Sequence, residues 1–185
     1  MKIDFLIDFE NIDSKGNRYN KQSFKAKSLV KGFLYLLWVQ ISRVSTSTKR
    51  TNGTSSSVLT AANNFKTDAP INTDDYGIVV GTNNTAVSIN DYALNTQIME
   101  GTGAGQMTHQ AVDFPEAVNV SGSDCRFQIH RDFINNSGGS ITINEIGIYV
   151  YGYLSYRICI DRTLSTKIVP DTEGASVTYT MLITV

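Results

Sequence analysis

Along most of this 185-residue chain hydrophobic and polar positions alternate with a period of two. That spacing turns one face of an extended strand inward and the other to water. The pattern is clearest in ASVTYTMLITV, where Val177, Tyr179, Met181, Ile183 and Val185 alternate with Thr178, Thr180, Leu182 and Thr184. KIDFLIDF at 2–9 sets Ile3, Phe5, Ile7 and Phe9 on one side, and DSKGNRY after it reads as a tight turn centred on Lys15-Gly16-Asn17. FINNSGGSITINEIGIYV, residues 133–150, joins two β-prone runs through Asn135–Gly139. Ile141 and Ile143 are out of phase there with Ile146, Ile148 and Val150, which predicts a bulge near Asn144–Gly147. Strands are predicted at 77–81, 86–90, 106–114, 124–134, 140–151, 154–161 and 175–185, with shorter ones at 56–61 and 166–169.

One segment breaks the period. In SLVKGFLYLLWVQISR, 28–43, Leu29, Val30, Phe33, Leu34, Leu37 and Ile41 fall on a helical stripe, and Ser28 can cap its start. STSTKRTNGTSSS (45–57) and NNFKTDAPINTDD (63–75) read as irregular connections. Short strands with turn signals between them point to an all-β protein: an antiparallel β-sandwich, jelly-roll-like, with one N-terminal helix and an extended N-terminal arm. The expected division is an arm or hairpin at 1–27 and a single sandwich domain at 28–185 that includes the helix.

Composition agrees with a folded chain: 41% hydrophobic and 18% charged residues exclude a disordered one. Nine Tyr and eight Phe favour strands. The longest apolar run, Phe33–Val39, is too short to cross a bilayer, so no membrane insertion is expected. Acidic residues at 4, 8 and 10 argue against a signal peptide. Cys125 and Cys159 could pair, but without a secretory signal they read as buried free thiols. The net charge of −1 hides an asymmetry: ten Lys or Arg and no acidic residue between 14 and 66. This basic tract lacks the interleaved aromatics of a single-strand groove, so it reads as a solvated arm or a protein-binding face rather than a nucleic-acid site.

Candidate chemistry is sparse. EGTGAGQ (100–106) has glycines, but the extended MTHQAVDF follows where a phosphate loop requires a helix. His109 and His130 are isolated from any Cys, His or carboxylate cluster with metal-ligand spacing. A Ser-His-Asp set could be assembled from them, but no nucleophile-elbow motif supports it. No catalytic residue, cofactor or metal is expected.

Three stretches in order, YGIVVGTNNTAVSINDYALNTQIMEGTGAGQM, NNSGGSITINEIGIYV and RTLSTKIVPDTEGASVTYTMLITV, resemble a family of small virion structural proteins of tailed bacteriophages and related prophages. SLVKGFLYLLWVQIS upstream is similar to that family's N-terminal portion, so the resemblance covers about 28–185. An Arg-Asp pair is frequent in the family before the last turn, where this chain reads Asp161-Arg162-Thr163. The resemblance implies a β-rich tail, neck or capsid-exterior component, made in the host cytoplasm and located in the virion. It would assemble with itself and with other virion proteins, and no catalytic residues come with it.

On that reading the arm (Phe5, Ile7, Phe9) and the helix (Phe33, Leu37, Trp38) are the candidate subunit interface. The alternative is a receptor- or glycan-binding module of a phage fibre, with Tyr151, Tyr153 and Tyr156 of YVYGYLSY stacking on sugar rings.

Overall fold

The computed structural model describes residues 2–26, 29–42, 44–58, 60, 64–152 and 155–184, except the side chains of residues 2, 3 and 41. Ser28, Tyr153, Val185 and the side chain of Ile41, all named above, lie outside that description.

The N-terminal alternation produces β1 (Lys2–Ile12) and β2 (Arg18–Lys25), an antiparallel hairpin. Its turn is held by Asp13, whose Oδ1 accepts the amides of Lys15 (2.9 Å) and Asn17 (2.8 Å), while Gly16 takes the left-handed conformation the turn requires. α1 (Lys31–Ser42) follows, then the small ribbon β3 (Thr46–Lys49) and β4 (Ser55–Val58). The remaining strands are β5 (Gly77–Gly81), β6 (Thr108–His109), β7 (Asn119–Ser121), β8 (Asp124–Ile134), β9 (Ile141–Gly152), β10 (Tyr156–Val169) and β11 (Gly174–Thr184).

Two antiparallel sheets form a sandwich. Sheet A runs β2-β1-β11-β8-β6, with β7 also on β8, and sheet B runs β10-β9-β5. Their inner faces meet through apolar side chains and a few cross-links: Tyr179 donates to Asp161 at 2.8 Å, and Asn11 Nδ2 donates to the Ile168 carbonyl at 2.8 Å. The five out-of-phase residues Ile141, Ile143, Ile146, Ile148 and Val150 are all buried. The expected bulge within β9 is absent: the register shifts lie on β10, and the out-of-phase residues are buried because both faces of β9 are covered from Glu145 to Val150.

The N-terminal segment corrects one expectation: it is a hairpin, but not an arm. β1 pairs with β11 over its whole length, from Lys2↔Thr184 to Ile12↔Gly174, and lies between β2 and β11. Phe5, Ile7 and Phe9 are core residues, so they cannot be a subunit interface. The basic tract also finds use within the sheet. Lys25 pairs with Asp4 (2.9 Å), Lys21 with Asp8 (3.0 Å) and Arg18 with Glu10 (3.6 Å), so β2 neutralises the acidic outer face of β1. Positive side chains on an exposed edge also discourage uncontrolled strand pairing.

Candidate functional site

α1 packs on the sandwich through Leu36 and Val39, with Val30 just before it, and through Phe33, which stands edge-on to Phe5 (6.1 Å) and Phe65 (6.3 Å). Its other face is apolar as well. Leu34, Tyr35, Leu37 and Trp38 are 62%, 38%, 37% and 56% exposed, and with Lys31 and Thr46 they bound an open groove of ≈ 640 Å³. Of the helix residues expected at an interface, Leu37 and Trp38 therefore reach solvent, and Phe33 is engaged by the core. Leu34, placed on the buried stripe from its spacing, is instead the most exposed of them. The buried stripe is rotated toward Leu36 and Val39, because the helix lies against β10 and β3.

The tyrosine reading is corrected at Tyr156, which is buried with the Arg50 guanidinium 4.0 Å above its ring. Tyr151 is half-buried, packed against Tyr76 (5.3 Å) and under Arg157 (4.1 Å), and its hydroxyl meets Ser155 at 2.9 Å. Cation–π contacts thus occupy ring area that a sugar would need. Tyr153 lies outside the described residues.

The outer face of sheet A brings together a constellation that spacing alone did not assemble. His130 on β8 meets Asp113 Oδ1 through Nδ1 (2.6 Å), and Ser176 Oγ and Asp132 Oδ1 through Nε2 (2.9 Å each). The set is Ser-His-Asp in composition, yet it lacks what acyl transfer requires. Ser176 is 1% exposed near the start of β11, and its Oγ also receives Arg18. Burial opposes charge on His130, but the hydrogen bonds and charges of Asp132 and Asp113 outweigh it and raise its pKa. While protonated, the ring donates from both nitrogens and has no lone pair for a serine proton. The cluster is a clamp that ties the 110–116 segment to the sheet, reinforced by mutual backbone hydrogen bonds between Asp113 and His130. Its two carboxylates approach different ring nitrogens and do not converge on one point. No group of three His, Cys, Asp or Glu suited to a metal ion occurs among the described residues.

The other candidates also have structural partners. His109 is fully buried and placed edge-on to Phe133; burial first, then the Arg131 charge, lowers its pKa. In the glycine-rich stretch the Gly103 amide is taken by Gln106 Oε1 at 2.9 Å, and the Glu100 amide by Asp74. This loop is closed on its own side chains. Arg131, fully buried, donates to the carbonyls of Gln110 (2.7 Å), Ile78 (2.9 Å), Tyr76 (3.2 Å) and Thr73, and burial pulls its pKa down to about 10. Cys125 and Cys159 are unpaired, and burial raises the Cys159 pKa well above the usual thiol value.

Ser176 and Asp113 were not legible as partners of His130. Their approach depends on the register Ser176↔Asp132 and Thr178↔His130 between β11 and β8, and on a bridge from an irregular segment. No family model, curated protein or solved structure matches this chain.

Proposed function

We propose that the chain is a non-enzymatic structural subunit of a tailed-bacteriophage particle, a tail, neck or capsid-exterior component that docks on its neighbours through the outer face of α1. The observation that carries this reading is that face itself: four large side chains, Leu34, Tyr35, Leu37 and Trp38, left in water on one short helix. Contiguous exposed apolar surface of this kind marks an interaction site. Aromatic anchors such as Trp and Tyr contribute most of the energy in many interfaces. The polar clusters support the same reading, because the imidazole of His130 and the guanidinium groups of Arg131 and Arg162 are engaged with partners inside the fold. The resemblance of 28–185 to virion proteins supplies the biological setting, with copies of itself and other virion proteins as partners.

The test is incorporation into particles. The native chain should be found by mass spectrometry in purified particles from the genome that encodes it. A Leu34→Asp/Trp38→Asp variant should fold with an unchanged circular dichroism spectrum and be missing from them. Particles lacking the native chain, or taking up both forms equally, would sink the proposal.

A further inference from the structure

Sheet A is longer than the layer that covers it. Residues that pair across β1, β11 and β8 form rows on its inner face, and the rows lose their cover one after another. Phe9, Val177 and Arg131 are sealed, and Ile7, Tyr179 and Ile129 nearly so. Met181 and Phe127 are only partly buried, and in the last row Ile183 is 39% and Val120 70% exposed. Where the cover fails, a cleft of ≈ 820 Å³ opens, walled by Phe33, Phe65, Phe114, Phe127, Ile160 and Met181. Beside it the β7–β8 hairpin carries Val118 and Val120, at 72% and 70% the most exposed large hydrophobic residues among those described.

We infer that two copies of this chain pair through this end of the sandwich, the Val118–Val120 knob of each entering the phenylalanine-lined cleft of the other. A knob adjacent to a hole on one surface is self-complementary, which is what a two-fold contact requires. The area is also appropriate. Five partly exposed side chains (Phe65, Phe114, Val118, Val120 and Ile183) present roughly 400–500 Å² of apolar surface, taking about 150–250 Å² per aromatic side chain. Doubled across the two-fold this comes close to the ~1,000 Å² total that a small, concentration-dependent interface needs. The rim charges are paired within each copy, Lys66 with Asp68 on the cleft (3.6 Å) and Arg126 with Glu116 by the hairpin (3.1 Å), so neither rim brings an unmatched charge to the contact. A small apolar ligand would fill the cleft but leave both valines in water, whereas a second copy covers both. This contact is separate from the outer face of α1 and does not depend on the particle reading.

Light scattering of the full chain after size exclusion, over a concentration series, tests it. The native chain should show twice the mass of one chain at high concentration. Val118→Asp/Val120→Asp, and separately Phe114→Asp, should show the mass of one chain with an unchanged melting temperature, and Leu34→Asp/Trp38→Asp should keep the dimer. A native chain that stays single at every concentration overturns the inference, as does a dimer that survives Val118→Asp/Val120→Asp.

Discussion

Glu145 and Arg162 meet with Oε2 and Nε 2.7 Å apart, both fully buried, where sheet B faces the irregular segment after β5. Both partners reach further. Glu145 accepts the amides of Asn95 (3.1 Å) and Thr96 (2.8 Å), and Arg162 donates to Asp91 (2.8 Å) and to the Thr85 carbonyl (3.0 Å). A buried ion pair is not by itself a strong stabiliser, but losing one member strands the other charge without water. Glu145→Ala should therefore cost about 3–5 kcal/mol. Urea denaturation would measure the loss, and hydrogen exchange should rise across residues 82–98 before it rises in sheet A.

Asp161 sits on the inner face of β10, where its Oδ2 accepts Tyr179 and Thr163 and its Oδ1 is buried without a partner. Burial raises its pKa from 3.8 to about 7. The folded state then holds a proton that the unfolded state has released, so stability falls as pH rises from about 4 to about 7 and is level above that. A shift of roughly three units corresponds to on the order of 4 kcal/mol. Asp161→Asn mimics the neutral acid and should flatten the dependence of melting temperature on pH in this window. An unaltered pH profile would contradict the assignment.

The His130 clamp acts at higher pH. Because its folded pKa is raised, the contribution is complete below the unfolded value near 6.5 and is lost as pH rises through the folded value. The Asp113 and Asp132 carboxyl groups face the ring, and Arg18 approaches Asp132 from β2 at 3.2 Å. His130→Gln should remove the loss of stability above pH 6.5. Proteolysis at 110–116 should become faster in the native chain as pH rises, and should be independent of pH in the variant.

Deleting residues 1–27 should unfold the chain rather than release an arm. The deletion takes an interior strand from sheet A and three core side chains, Phe5, Ile7 and Phe9. Thermal scans of the truncated protein should show no cooperative transition and strong dye binding. A sharp melt would mean that β11 and β8 hold together without β1.

The strands that were legible in the sequence are those in which alternation and flanking turns agree. β5 and β8 lie at the predicted 77–81 and 124–134, and β11 within one residue of 175–185. The pattern predicts two strands, 154–161 and 166–169, where β10 is continuous; Asp161 and Arg162 between them are interior residues whose polarity is met by Tyr179 and Glu145. Residues 86–90 and most of 106–114 are not strands. Residues 110–113 follow sheet A through single hydrogen bonds, such as Gln110 N to Asp132 O, which alternation cannot distinguish from a ladder, whereas the Ile89 carbonyl takes the Lys31 amide at the start of α1. The arm was misread for a related reason: an apolar face on Phe5, Ile7 and Phe9 says that something covers it, not whether that is the same chain. On α1 the wide apolar face was visible, but which side would stay open depended on where β10 and β3 lie. The His130 cluster needed the β11–β8 register, which no local pattern encodes.

The pairing of β1 with β11 also sets the order in which this protein can form. The strand at residues 2–12 has one neighbour close by in β2 but finds the other only at 174–184, so sheet A cannot close until the long stretch between β2 and β11 has been made. Until then Ile7 and Phe9 wait uncovered, and folding is delayed by the long loop that must be gathered. Formation of sheet A therefore comes long after β1 is made, and its uncovered apolar face is open to aggregation until β11 arrives.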